Sequence, residues 1–251
     1  MNLNYNPFTL VGKTILVTGA SSGIGRSIAI ECSRMGASVI ITGRNDERLK
    51  ETFEALAGVN NKMIVADLVK EDDIERIANE SPLLDGVVHS AGIGDRSLLS
   101  SVSPKRIEKV MVINFKAPVL LQKSLLKKKK IADSSSIVFI ASRAPHAPTV
   151  GNGLYAASKG ALLAYAKVLG LELADRLIRV NSILPAMVWT ELVKRDEEIM
   201  GVDYSLKEKE YPLKRFGKPE EIAYLTVYML SDAAAWMTGS AVDITGGVNS
   251  L

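Results

Sequence analysis

The sequence predicts an α/β fold, and three observations carry that expectation. The apolar run Lys13-Thr14-Ile15-Leu16-Val17-Thr18 passes directly into Gly19-Ala20-Ser21-Ser22-Gly23-Ile24-Gly25, and a long helical pattern follows to Met35. Further short apolar runs recur along the chain: Ala37–Thr42, Met63–Ala66, Val87–Gly92, Ser136–Ala141, Leu177–Leu184 and Ala241–Thr245, with helical patterns among them. Finally, an alanine-rich segment, Tyr155 to Ala166, carries a tyrosine and a lysine four residues apart, just after the strand that ends at Ser142.

The first strand and its glycine turn make an anion site. Glycines let a backbone approach a ligand closely, and free amides at a helix start favour a pyrophosphate. The spacing is G-x-x-x-G-x-G, in the strand–turn–helix context that a dinucleotide site requires.

The second strand ends at Gly43-Arg44-Asn45, with Asp46 expected as the N-cap of a helix to Leu56. In a dinucleotide fold this end meets the adenosine ribose. A carboxylate would accept from the 2′-hydroxyl; Gly43 and Arg44 offer space and a cation instead, which suits a 2′-phosphate. The third strand ends at Asp67, an acceptor for an adenine amino group or a helix cap. The fourth ends in His89-Ser90-Ala91-Gly92, small enough for close backbone approach. His89 reads as structural. His146, in a Pro-flanked loop, is a candidate substrate contact, and two isolated histidines make no convincing metal site.

Pro104 to Lys130 reads as a long helix interrupted near Pro118, with Asn114 just before the break, where its side chain and the disrupted backbone could hold a water. The Lys127–Lys130 run reads as the solvated helix end before a turn at Asp133 to Ser136. On a helix, Tyr155 and Lys159 share one face. A cation beside a phenol favours phenolate, so the pKa of Tyr155 is expected to fall, leaving a group tuned for general acid or base work on a carbonyl or alcohol. Ala186 to Phe216 is the least regular stretch, semi-apolar and following a strand's carboxyl end, and reads as a substrate lid.

Composition sets limits on partners. The 251 residues are 47% hydrophobic and 24% charged, ordinary for a soluble globular protein, and the net charge of +3 is too small to argue for nucleic acid or an anionic membrane. No apolar run approaches the ~18 residues of a membrane span. Cys32 is alone and forms no internal disulfide, so the cytoplasm is the default location. No repeat or linker divides the chain, and one domain over residues 1–251 is expected.

Taken together, these segments resemble the short-chain dehydrogenase/reductase family, in its shorter subclass, from Leu10 to Gly247. Thr18 to Gly25 looks like its cofactor turn, with Gly19, Ser21, Ser22, Gly23, Ile24 and Gly25 as contacts. Asp67, with Leu68, looks like its adenine contact. His89 to Gly92 is similar to its Asn-Asn-Ala-Gly motif, which assigns Ser90, Ala91 and Gly92 to the cofactor. Asn114, Ser142, Tyr155 and Lys159 match its catalytic set. Pro185 to Thr190 resembles the segment that binds the nicotinamide amide, implying contacts from Pro185, Val188 and Thr190. Two departures stand out: His89-Ser90 replaces two asparagines, and Ala186 replaces a glycine.

The resemblance implies a doubly wound, Rossmann-like parallel sheet of seven strands, order 3-2-1-4-5-6-7, with helices on both faces. It implies hydride transfer between NADP(H), with NAD(H) as the weaker choice, and a small carbonyl/alcohol pair. Ser142 would polarise the carbonyl, Tyr155 supply the proton, Lys159 lower the tyrosine pKa and bind ribose, and Asn114 hold the relaying water. A homotetramer, or failing that a homodimer, is expected. Arg215-Phe216-Gly217-Lys218-Pro219 onward also resembles the 3-oxoacyl-thioester reductases, the alternative enzyme; a dinucleotide-binding sensor or scaffold without turnover is the alternative of another class.

Overall fold

The computed structural model describes residues 5–201 and 203–248. Seven strands form one sheet: β1 (Thr14–Thr18), β2 (Ser38–Gly43), β3 (Lys62–Val65), β4 (Leu84–His89), β5 (Ile131–Ile140), β6 (Arg179–Pro185) and β7 (Ala241–Ile244). Their order is β3-β2-β1-β4-β5-β6-β7 and every pairing is parallel, as the resemblance implied.

The strands are apolar on both faces because helices cover both, and successive residues alternate between two cores. Ile15, Val17, Val39, Ile41, Val88, Val138 and Ile140 pack in one core with Ile28 of α1 (Gly23–Arg34) and Ile222 and Val227 of α9 (Pro219–Leu230). Leu16, Ile40, Val87, Ile137 and Phe139 point the other way. They meet Ile74 and Ile77 of α3 (Glu71–Glu80), Leu121 and Leu125 of α5 (Ala117–Lys127), and Leu162 and Leu169 of α6 (Gly153–Glu172). Strand order reverses between β1 and β4, and an open parallel sheet binds ligands outside its carboxyl edge at such a switch point.

Several local expectations need correction. Asn45, not Asp46, caps α2 (Asp46–Glu54): its side chain accepts from the Arg48 amide at 2.9 Å. The span from Pro104 to Lys130 is α4 (Pro104–Met111), a π-helical turn (Val112–Lys116) and α5, ending at Lys127. The irregularity thus lies one turn ahead of Pro118, which has no N–H to offer the carbonyl of Asn114. Asp133 to Ser136 is not a turn after a helix but part of β5, whose pairing with β4 shifts register between Leu84 and Gly86; Ser134 takes a left-handed φ of 60° there. β6 begins at Arg179, because Leu177 adopts a left-handed φ of 56°.

The stretch from Ala186 to Phe216 is more regular than its sequence suggests. It holds α7 (Glu191–Met200), capped by Thr190, and the short α8 (Tyr204–Glu208). Tyr204, Tyr211 and Phe216 form their own buried cluster, with Met187, Trp189 and Val193 against it. Among the described residues no helix is long and apolar enough to cross a membrane.

Candidate active site

A cleft of about 870 Å³ opens at the carboxyl edge of the sheet, running from Arg44 at the end of β2 to Tyr204 and Tyr211 under α8. Gly19, Ser21, Ser22, Gly23, Ile24 and Gly25 line it, as do Arg44, Asp67, Leu68, Ser90, Ala91 and Gly92. So do Ser142, Tyr155, Lys159, Pro185, Val188 and Thr190, whereas Asn114 does not line it.

The glycine turn is compact for steric reasons. Gly19 has φ +67°, and a Cβ there would lie 2.7 Å from the Cα of Ala91; one at Gly25 would collide with the carbonyl of Gly19. Thr18, buried beneath the turn, ties β1 to β4: its hydroxyl accepts from the amides of Ser90 at 3.1 Å and Ala91 at 3.2 Å. The start of α1 therefore faces the cleft. Its N-cap, Ser22, makes no side-chain cap, so the first-turn amides have no intrahelical or capping partner. That donor set fits a pyrophosphate.

Arg44 is exposed at the cleft rim, with no hydrogen bond or ion pair among the described residues, and suits a phosphate at this end. Asp67 lines the cleft and also closes a local turn, its Oδ1 accepting from the Val69 amide at 3.2 Å. Thr190 touches the turn from the far side: a Cβ on Gly23 would lie 3.3 Å from its Cγ2.

Ser142 follows β5 directly, 8% exposed, and its Oγ accepts from the Ala144 amide at 3.1 Å. Tyr155 lines the same cleft, and the Ser142 hydroxyl acts to lower its phenol. Lys159, one turn along α6, is buried; its Nζ donates to the carbonyl of Ile140 at 2.8 Å and sits 5.9 Å from the centre of the Tyr155 ring. Burial brings this ammonium down to about 8.

The expected fall in the Tyr155 pKa is not what this geometry gives. Burial pushes the phenol up, and the Ser142 hydroxyl and the charge of Arg96 only partly oppose it. The physical reason is direction: the Lys159 ammonium turns to a backbone carbonyl rather than to the hydroxyl. At neutral pH the phenol therefore carries its proton.

Asn114 is fully buried, and its side chain is tied to the cleft wall. Oδ1 accepts from the Ile93 amide at 2.8 Å, while Nδ2 donates to the Ile93 carbonyl and to Ser158 Oγ, both at 3.0 Å. Both amide hydrogens are spent, and Oδ1 keeps a second lone pair. The residue fixes the cleft wall at Ile93.

His89 is structural as read: it is buried, stacks on Phe139 at 4.7 Å and shares a 3.1 Å hydrogen bond with Gln122. His146 is exposed and does not line the cleft, which removes it as a substrate contact. Sequence reasoning did not name Ile93, Arg96 or Thr149, all cleft-lining. Their segments carry no motif; only nearness to the Ser90–Gly92 and Ser142–Tyr155 segments could have flagged them.

Comparison with known proteins agrees with this geometry. A family model described as "Enoyl-(Acyl carrier protein) reductase", adh_short_C2, matches residues 19–249. The 3-oxoacyl-[acyl-carrier-protein] reductase of Rickettsia prowazekii is 33% identical over 95% of this chain and 98% of its own. The L-xylulose reductase of Caenorhabditis elegans is 31% identical over the full length of both. Among solved structures, a putative NAD(P)-dependent gluconate 5-dehydrogenase from Beutenbergia cavernae, crystallised with bound NADP at low occupancy, is 32% identical with a TM-score of 0.87, covering 96% of this chain and 98% of that one. A match of this extent, on a seven-stranded sheet of the same order, means that the chain belongs to the short-chain dehydrogenase/reductase family and is an NAD(P)(H)-dependent oxidoreductase acting on an alcohol/carbonyl pair.

Proposed function

We propose that the protein reduces a small-molecule ketone or aldehyde with NADPH, Tyr155 delivering the proton. The observation that carries this reading is that Ser142, Tyr155 and buried Lys159 line the same cleft as the open amides of α1. When bound, the nicotinamide supplies the hydride. Ser142 orients and polarises the carbonyl oxygen. Tyr155, proton-loaded because burial raises it, donates to that oxygen as charge develops. Lys159, its ammonium held 2.8 Å from the Ile140 carbonyl, contributes a cation that would bind ribose hydroxyls. Asn114 positions the wall through Ile93. The remaining contacts, Gly19 to Gly25, Asp67, Leu68, Ser90 to Gly92, Pro185, Val188 and Thr190, hold the dinucleotide, and Arg44 makes it NADP(H) rather than NAD(H).

The same proposal takes residues 1–251 as one dinucleotide-binding domain with residues 186–216 as its substrate lid. It takes the assembly as a homotetramer or homodimer: Leu171 is 80% and Trp236 102% exposed, apolar surface that a second copy would cover. Light scattering giving the mass of one chain at micromolar concentration would contradict the assembly. We assign the cytoplasm as location, where the buried Cys32 thiol stays reduced.

The alternative substrate, a 3-oxoacyl thioester, is favoured by the names of relatives such as that of Rickettsia prowazekii and of Aquifex aeolicus, the latter 33% identical. NADPH oxidation measured against simple ketones, sugars, steroids and acyl thioesters tests both. Turnover of a ketone or sugar supports the main reading, and turnover confined to thioesters supports the alternative. Tight NADPH binding with no turnover across the panel would instead point to a sensor or scaffold.

A further inference from the structure

The wall that follows β4 runs from Lys159 to the candidate lid. A Cβ on Gly92 would lie 3.4 Å from Lys159 Nζ, and one on Gly94 would lie 3.7 Å from Leu192 Cδ1 on α7. Two residues of chain span at most about 7 Å, so Leu192 meets the wall within that distance of the point where the wall passes Lys159. Ile93 stands between the two glycines, lines the cleft and is pinned by the Asn114 side chain. Val150, on the loop before α6, lines the cleft as well. That loop is tied to the same wall, the Ser97 amide donating to the Gly151 carbonyl at 2.8 Å. Leu192 is 49% and Val150 86% exposed, apolar surface left to water inside a cleft.

The polar side chains beside them on the two loops are already engaged. Asp95 accepts from Arg106 Nε at 2.6 Å and from Ser97 Oγ at 2.5 Å, and Thr149 Oγ1 accepts from Arg96 Nη1 at 3.1 Å. A polyhydroxylated substrate loses water from each hydroxyl it brings here and needs a partner in return. An apolar one gains by covering Leu192 and Val150. We propose that the substrate carries an apolar group of several carbons next to its reacting carbonyl, seated against Ile93, Val150 and Leu192. The inference rests on the reductase reading. It makes Leu192 and Val150 specificity-determining residues and favours apolar ketones over sugars.

The test measures NADPH oxidation by the full-length protein on 2-butanone, 2-pentanone and 2-hexanone, with 4-hydroxy-2-butanone as the polar match to 2-pentanone. Where a thioester is required for turnover, the N-acetylcysteamine thioesters of 3-oxobutanoate and 3-oxohexanoate form the series. Burying one methylene corresponds to about a fourfold gain, so kcat/KM should rise by about that factor per added carbon, chiefly through KM. 2-Pentanone should lead 4-hydroxy-2-butanone by roughly tenfold. Leu192→Ser combined with Val150→Ser should flatten the series to about twofold per carbon or less while NADPH affinity stays close to the wild type, and Leu192→Met should keep the slope. A level series, a lead for the hydroxylated ketone, turnover confined to sugars, or a slope unchanged in the double variant overturns the inference while leaving the reductase standing. NADPH binding without oxidation on any carbonyl overturns the reductase reading and this inference with it.

Discussion

Asn114 and Ser158 are joined by a buried hydrogen bond, Nδ2 to Oγ at 3.0 Å, that fastens the π-helical turn to the helix bearing Tyr155. Ser158 Oγ in turn donates to the Tyr155 carbonyl at 2.8 Å. Ser158→Ala removes the acceptor and leaves a buried amide hydrogen unpaired, which costs about 1 to 3 kcal/mol. Urea unfolding of the variant should show a loss of that size. An unchanged midpoint would mean that the two helices are held by packing alone.

The His89 imidazole is pushed down to about 4 by burial, against the partial offset of its hydrogen bond with Gln122. An unfolded chain titrates this group at about 6.5, so between those values the unfolded state binds the extra proton. The stabilisation is whole above pH 6.5 and is lost as pH falls toward 4. From pH 7 to pH 5 the wild type should lose about 2 kcal/mol more than His89→Asn, which has no titrating ring. Parallel pH profiles for the two proteins would show that the ring is not held neutral.

Glu208 ties the two ends of the candidate lid together, one carboxylate oxygen accepting from Trp189 Nε1 at 2.7 Å and from the Phe216 amide at 2.9 Å. Glu208→Ala strands both donors. Charged hydrogen bonds contribute about 1.5 to 3 kcal/mol, so KM for substrate should rise by roughly tenfold and Trp189 emission shift to the red. If KM stayed constant, the segment would not be gating substrate.

The parts legible in the sequence were those set by near neighbours. The strand, glycine turn and helix from Lys13 to Met35 are contiguous, and Tyr155 and Lys159 meet through one turn of α6. What escaped was fixed by distant contacts. The π turn forms where Asn114 binds Ile93, 21 residues away, and Ser158, 44 away, neither marked by a motif. The raised phenol of Tyr155 likewise depends on burial and on where the Lys159 ammonium turns, at a carbonyl 19 residues earlier. The order inside the lid was hidden for the same reason: Trp189 meets Glu208 across 19 residues.

The proposed preference for NADP(H) rests on Arg44. A charge-assisted hydrogen bond to a 2′-phosphate contributes on the order of 1.5 to 3 kcal/mol, so NADPH should bind roughly ten- to a hundredfold more tightly than NADH. Arg44→Ala should weaken NADPH much more than NADH. Gly43→Asp should shift preference toward NADH, since the new carboxylate repels phosphate and accepts from the ribose hydroxyl. Fluorescence titration checks this, and equal or tighter NADH binding by the wild type would remove the role of Arg44.

The central claim is that Tyr155 gives its proton to the substrate, and Tyr155→Phe tests it most directly. The substitution deletes one hydroxyl while keeping the ring whose centre lies 5.9 Å from the Lys159 ammonium. General acid catalysis is worth about 10² to 10⁴ in rate, so steady-state NADPH oxidation on the best carbonyl found should fall by at least a hundredfold. Affinity for NADPH, titrated on the same protein, should stay close to that of the wild type. A variant that kept more than a tenth of the wild-type rate would contradict the assignment.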